Sequence, residues 1–137
     1  MKRCGYAAGL RPLQTLGMAD FKNLLVWQKA HALTVTTVEK VVEIKGNAGS
    51  IVRNQLIRSV LSIGSNIAEG SGKRSDREFA RYVRIALGSA TESENHLLVL
   101  KDLGLLDQDA FEILSPKLSE VCKMLNGLEK KLADDVS

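Results

Sequence analysis

Lys73, Arg74, Arg77, Arg81 and Arg84 crowd five cations into residues 73–84, where only Asp76 and Glu78 oppose them. Arg77, Arg81 and Arg84 advance by four and then three, which puts them on one face if the segment is helical. A guanidinium presents a rigid planar fork that suits phosphate oxygens, so a row of them suggests contact with RNA or DNA. The same row also fits a solvated face that pairs with acids on another helix or subunit. Tyr82 lies among them and is available for stacking on a base.

A second constellation precedes this one. Gln55, Arg58, Ser62, Asn66, Glu69 and Lys73 recur every three or four residues, forming a polar stripe down one helix face. Leu56, Val60, Ile63 and Ile67 form a separate apolar stripe on the same helix. Such a polar stripe either satisfies itself across the bundle, fixes the register between subunits, or meets a partner.

Other chemistries fail on spacing. Gly72-Lys73 looks like the end of a phosphate-binding loop, but Ile67 stands where its first glycine belongs and Arg74 replaces the Ser or Thr. A two-metal helical site needs Glu-x-x-His pairs, whereas Glu92 and His96 are four apart and His31 has no acidic neighbour of that kind. Cys4 and Cys122 with two scattered histidines give no zinc spacing. No serine sits in a nucleophile elbow, and Glu92 and Glu94 point to different helix faces. The expectation is a protein with no catalytic residues, metal or cofactor.

The elements that must carry these residues are helices. Of 137 residues, 45% are hydrophobic but only 4% aromatic, and only two are prolines, which favours helix packing over a sandwich of sheets. One helix is expected from about Asp20 to Ile44. It has an apolar line at Leu24, Trp27, Val35, Val38 and Val42, and a second at Val26, Ala30, Leu33, Val41 and Ile44. A turn at residues 45–49 leads to a helix capped by Ser50 and ending at Gly70-Ser71-Gly72. Ser75 and Glu78 make a capping box for a third helix, which Gly104 stops. Asp107 or Asp109 opens a fourth, with a kink or restart expected at Pro116. Four helices with short turns predict an all-α, antiparallel up-and-down four-helix bundle over residues 20–132. Small residues Ser62, Gly64, Ser65 and Ala68 on the second helix, and Ala86, Gly88, Ser89 and Ala90 on the third, predict close approach, either as packing within the bundle or as a seam between subunits.

The formal charge of +3 is a terminal effect. Residues 1–17 contain Lys2, Arg3 and Arg11 with no acid, which leaves 16 basic and 16 acidic residues in 18–137. Residues 1–19 are expected to be a disordered tail or part of an over-long start, because Met18 opens a second plausible start; residues 133–137 are expected to be a C-terminal tail. Two distant cysteines and the lack of a sustained apolar run predict a cytoplasmic protein without disulfide or membrane span.

These residues carry a family resemblance. The stretches Leu25-Val26-Trp27-Gln28-Lys29-Ala30, Gln55 with Arg58, Ser62-Ile63 with Asn66-Ile67-Ala68-Glu69-Gly70, Phe79, Ile85-Ala86-Leu87-Gly88-Ser89 and Glu92 resemble the 23S rRNA intervening-sequence proteins. Those are related to the accessory variability proteins of diversity-generating retroelements. The resemblance spans about residues 20–132. It implies a homo-oligomeric ring of four-helix bundles, a pentamer, with no enzymatic activity. It also implies association with RNA or DNA, or with a protein partner such as a reverse transcriptase. The chain departs from the family in lacking a proline and an acidic stretch around residues 43–47, and in carrying Ser93 where leucine is common.

Overall fold

A computed structural model describes residues 20–136 of the chain. The expectations for residues 1–19 lie outside the described residues. The chain forms α1 (Leu25–Val41), α2 (Asn47–Ser71), α3 (Asp76–Asp102) and α4 (Gln108–Val136), preceded by a 3-10 turn at Phe21–Asn23. Successive helices run antiparallel as an up-and-down bundle, as the turn lengths require. No helix among the described residues is long and apolar enough to cross a membrane.

The first helix is shorter than expected. Asp20 caps the 3-10 turn instead, its side chain accepting the Lys22 N–H at 2.9 Å. Leu24 is extended, with ψ at 124°, and breaks the chain between the two elements. The start of α2 also moves. Ser50 is not its cap, because Gly46 turns the chain at φ 89° and its carbonyl already accepts the Ser50 N–H at 2.8 Å. Arg53 donates to the Ile44 carbonyl and ties this turn down.

Two other boundaries follow the sequence closely. The Ser75 hydroxyl accepts the Glu78 N–H at 3.1 Å. Gly104, at φ 72°, ends the helical run of α3 while Leu105 N–H bonds back to the Leu100 carbonyl, a closure that needs the left-handed residue. Asp107 rather than Asp109 caps α4, accepting the Ala110 N–H at 2.7 Å. No restart occurs at Pro116, since α4 is a single helix through it. Both Pro116 and Glu112, whose carbonyl loses its usual donor, are exposed, so the missing bond is not trapped in the core. The helix runs on to Val136, four residues past the boundary drawn at 132.

The core gathers one stripe from each helix. Leu56, Val60, Ile63 and Ile67 of α2 are at most 1% exposed, and they meet Val83, Ala86, Ala90 and Leu100 of α3 and Leu114, Val121, Leu125 and Leu132 of α4. Each large side chain buried in this way contributes about 1.5–3 kcal/mol. From α1, Val26, Ala30, Leu33 and Val41 enter together with Thr34 and Thr37, and Trp27 packs against their edge. Val35 and Val42, of the other line, are 45% and 54% exposed.

Candidate functional site

The polar stripe of α2 faces α3 and is largely satisfied there. The Arg58 Nη2 donates to Gln55 Oε1 and to Glu92 Oε2, both at 2.8 Å. His96 Nε2 lies 3.2 Å from the same carboxylate oxygen. Ser62 and Ser89 hydroxyls are 2.8 Å apart, and Asn66 Nδ2 donates to the Ser62 carbonyl at 2.8 Å. Tyr82 donates its hydroxyl to Glu69 Oε2 at 3.2 Å. Gln55, Arg58, Ser62, Asn66 and Glu69 are therefore held by an interhelical network.

Close approach between α2 and α3 rests on fewer small residues than the sequence offers. Ser62 and Ser89 meet directly, but Gly64 faces the Trp27 indole on α1, and Gly88 faces open space. The tightest point is Gly70, where an added Cβ would sit 2.6 Å from Tyr82 Cβ and 3.0 Å from a Phe79 ring carbon. That contact explains the glycine in Glu69-Gly70: it lets the end of α2 lie against the first turns of α3. Sequence reasoning missed the buried pair Ser59 and Ser93, whose hydroxyls are 2.7 Å apart with both residues fully buried. It also missed Thr34, whose hydroxyl reaches the Val60 carbonyl at 3.1 Å from α1. The signal for the serine pair was weak, since a serine on a core stripe reads as a packing residue until its partner is known.

The basic cluster lies at the α2–α3 turn and on the first three turns of α3. Arg74, Arg77, Arg81 and Arg84 are exposed, and Lys73 is half-buried. The arginines of α3 share a face but lean two ways. Arg81 sits over the Tyr82 ring at 4.8 Å from its centroid, and the Lys73 ammonium is 5.2 Å from the same ring. Tyr82 is thus already engaged by two cations and by Glu69. Arg77 and Arg84 turn toward α4 and flank a notch of about 250 Å³, with Ala80 and Ala133 between them. Arg84 Nη1 is 3.3 Å from Glu129 Oε2, so one of the four arginines is partly neutralised by an acid on another helix. The antiparallel register of α3 and α4 brings Glu129 there, and no local spacing announces it.

Among the described residues, no three metal-ligating side chains come together. The Cys122 thiol is half-buried, and burial pushes its pKa up, with the nearby Glu94 carboxylate acting in the same direction. A thiol held protonated in this way is a poor nucleophile.

The architecture defines an all-α bundle whose interior is closed by apolar packing and serine pairs, and whose arginines cluster at the start of α3. The family model for the 23S rRNA-intervening sequence protein matches residues 22–127, and the chain belongs to that family. A solved structure from the S23 ribosomal protein family of Bacteroides thetaiotaomicron VPI-5482, described as a protein with unknown function, superimposes with a TM-score of 0.71. It shares 28% identity, and the match covers 77% of this chain and 99% of that one. No curated protein matches the chain.

Proposed function

We propose that the protein is a non-enzymatic, cytoplasmic, homo-oligomeric adaptor that associates with RNA or DNA through the arginine face of α3. The observation that carries this reading is the grouping of Arg74, Arg77, Arg81 and Arg84, all exposed, beside Lys73, in a region, residues 18–137, whose bases and acids balance only when this cluster is counted. A rise of 1.5 Å per residue spaces Arg77, Arg81 and Arg84 by about 6 and 4.5 Å along the helix axis, a scale on which one face meets several phosphates of a strand. Each such contact is weak. Assembly into a ring, the pentamer that the family resemblance implies, repeats the face and raises its effective concentration.

The test is fluorescence anisotropy of structured RNA and of duplex DNA at two salt concentrations, on protein of known assembly mass. Binding that falls steeply with salt is expected. The double substitution of Arg77→Ala with Arg81→Ala should weaken binding and flatten its salt dependence while leaving the assembly mass unchanged. Unchanged affinity would remove these residues from the interface. No binding even at low salt would favour a protein-binding scaffold, to be recognised by a partner that is recovered equally well after nuclease treatment.

A further inference from the structure

The notch between α3 and α4 is built unlike a phosphate clamp. Arg77, Ala80 and Arg84 recur at helical spacing, so the two arginines stand on either side of the alanine on one face of α3. Ala80, 4% exposed, and Ala133 of α4 line the space between them, so methyl groups make its floor. Glu129 lies one turn before Ala133 on α4, and its Oε2 is 3.3 Å from Arg84 Nη1. A site for phosphate alone gains nothing from an acid at its edge, because the acid repels the anion that the arginines attract. A nucleobase uses all three features: its flat faces stack on guanidinium planes, its rim packs against methyls, and its ring donors need an acceptor. Arg84 is seven positions after Arg77, about 10 Å along the helix axis. One ring stacked between two guanidinium planes needs roughly 7–8 Å, twice an ordinary carbon contact distance, and the long side chains close the difference. The ion pair engages the edge of the Arg84 fork and leaves its flat face to stack.

We infer that this notch receives one unpaired guanine of a single strand, stacked between Arg77 and Arg84, with its N1 and N2 hydrogens donated to the Glu129 carboxylate. The inference rests on the nucleic-acid reading above and names the part of the strand that the site takes. Guanine places two adjacent donors on its pairing edge, which match the two oxygens of a carboxylate. Uracil and thymine offer one ring donor there, and cytosine and adenine offer only an amino group. A base inside a duplex does not enter, since its edge is paired and its faces are covered. Arg81 and Lys73 lean over the Tyr82 ring, away from the notch, and with Arg74 they are left for the strand's phosphates.

The test is fluorescence anisotropy of the full chain with labelled oligouridine, the same strand carrying one central guanosine, and the same strand carrying inosine there, which lacks the N2 amino group. The guanosine strand should bind about fivefold tighter than oligouridine, with inosine between them. When the strands are annealed to their complements, the preference should vanish. Ala133→Leu fills the notch from an exposed position without changing any charge. It should remove the preference while oligouridine affinity, its salt dependence and the helicity by circular dichroism stay at wild-type values. Glu129→Gln should raise oligouridine binding yet narrow the preference, a split that a merely structural residue would not give. Salt-dependent binding with equal affinity for the three single strands would overturn the guanine site and leave the arginine face standing, as would a preference that survives Ala133→Leu. No binding of any strand at low salt would overturn both readings. An acidic peptide that displaces the guanosine strand but not oligouridine would overturn the base and assign the notch to a carboxylate.

Discussion

Ser59 of α2 and Ser93 of α3 face each other inside the bundle, with their hydroxyl oxygens 2.7 Å apart and neither residue open to solvent. The Ser59 hydroxyl also reaches the Leu56 carbonyl at 3.0 Å, and Ser93 the Ser89 carbonyl at 2.9 Å. Each polar group therefore has a fallback within its own helix. Ser93→Ala should cost about 1 kcal/mol. The double variant with Ser59→Ala should cost less than the sum of the singles, which denaturant melts of all three variants will measure. Ser93→Leu should destabilise this chain by about 1–3 kcal/mol, because Ser59 occupies the space opposite.

Gly70 is the position least able to accept a side chain. Gly70→Ala drives a methyl into the Tyr82 and Phe79 side chains, and a loss of roughly 1–3 kcal/mol is expected, seen as a lowered thermal midpoint. Gly88→Ala, where the added carbon meets nothing within 4 Å, should raise the midpoint slightly through helix propensity. The contrast separates a packing glycine from an incidental one.

The capping geometry sets a third expectation. Asp107→Ala removes the acceptor of the Ala110 N–H and should cost about 1 kcal/mol, whereas Asp109→Ala should have a much smaller effect. Both are read from urea denaturation midpoints.

Glu129 is expected to restrain Arg84. Glu129→Gln removes the acid 3.3 Å from the guanidinium and should strengthen any salt-dependent binding of RNA or DNA. Because this ion pair is exposed, stability should change by less than about 1 kcal/mol. A titration in which Glu129→Gln and wild type bind alike would show that Arg84 lies outside the contact.

Cys122 gives a pH expectation. Its folded pKa is raised, so the folded state holds its proton more tightly than the unfolded chain does. The associated stability is present below the ordinary thiol range and is lost as pH rises through the raised value. Alkylation of Cys122 at pH 8, followed by peptide mapping, should be slower in native protein than in urea-unfolded protein.

The sequence made the helices and most of the core legible because apolar residues recur at the helical period on α2, α3 and α4. The capping box at Ser75 and the glycine stop at Gly104 were readable for the same reason: each is a local signal. What was not legible is pairwise. Glu129 approaches Arg84, and Ser59 meets Ser93, only through the register of helices far apart in the chain. Helix α1 shows the limit most clearly, since its two apolar lines are equivalent in sequence, and only the packed bundle shows that Val26, Ala30 and Leu33 go inside while Val35 and Val42 stay out. The basic row was legible as a row, but its division between Tyr82 and the α4 notch was not.

The four-residue link from Gly72 to Ser75 has a consequence for the order in which the molecule assembles. It joins α2 and α3 so tightly that their contacts form with little loop-closure entropy, whereas α1 and α4 meet only across most of the chain, as Lys29 and Glu120 do at 3.4 Å. The α2–α3 hairpin should therefore be the early-structured part of the folding transition state, with α1 docking late. Substitutions at Ser59 or Ser93 should slow folding, and those at Ala30 or Leu33 should chiefly speed unfolding. Nascent chains would then carry α1 undocked until α2 and α3 have paired, leaving Trp27 fluorescence as a reporter of the last step.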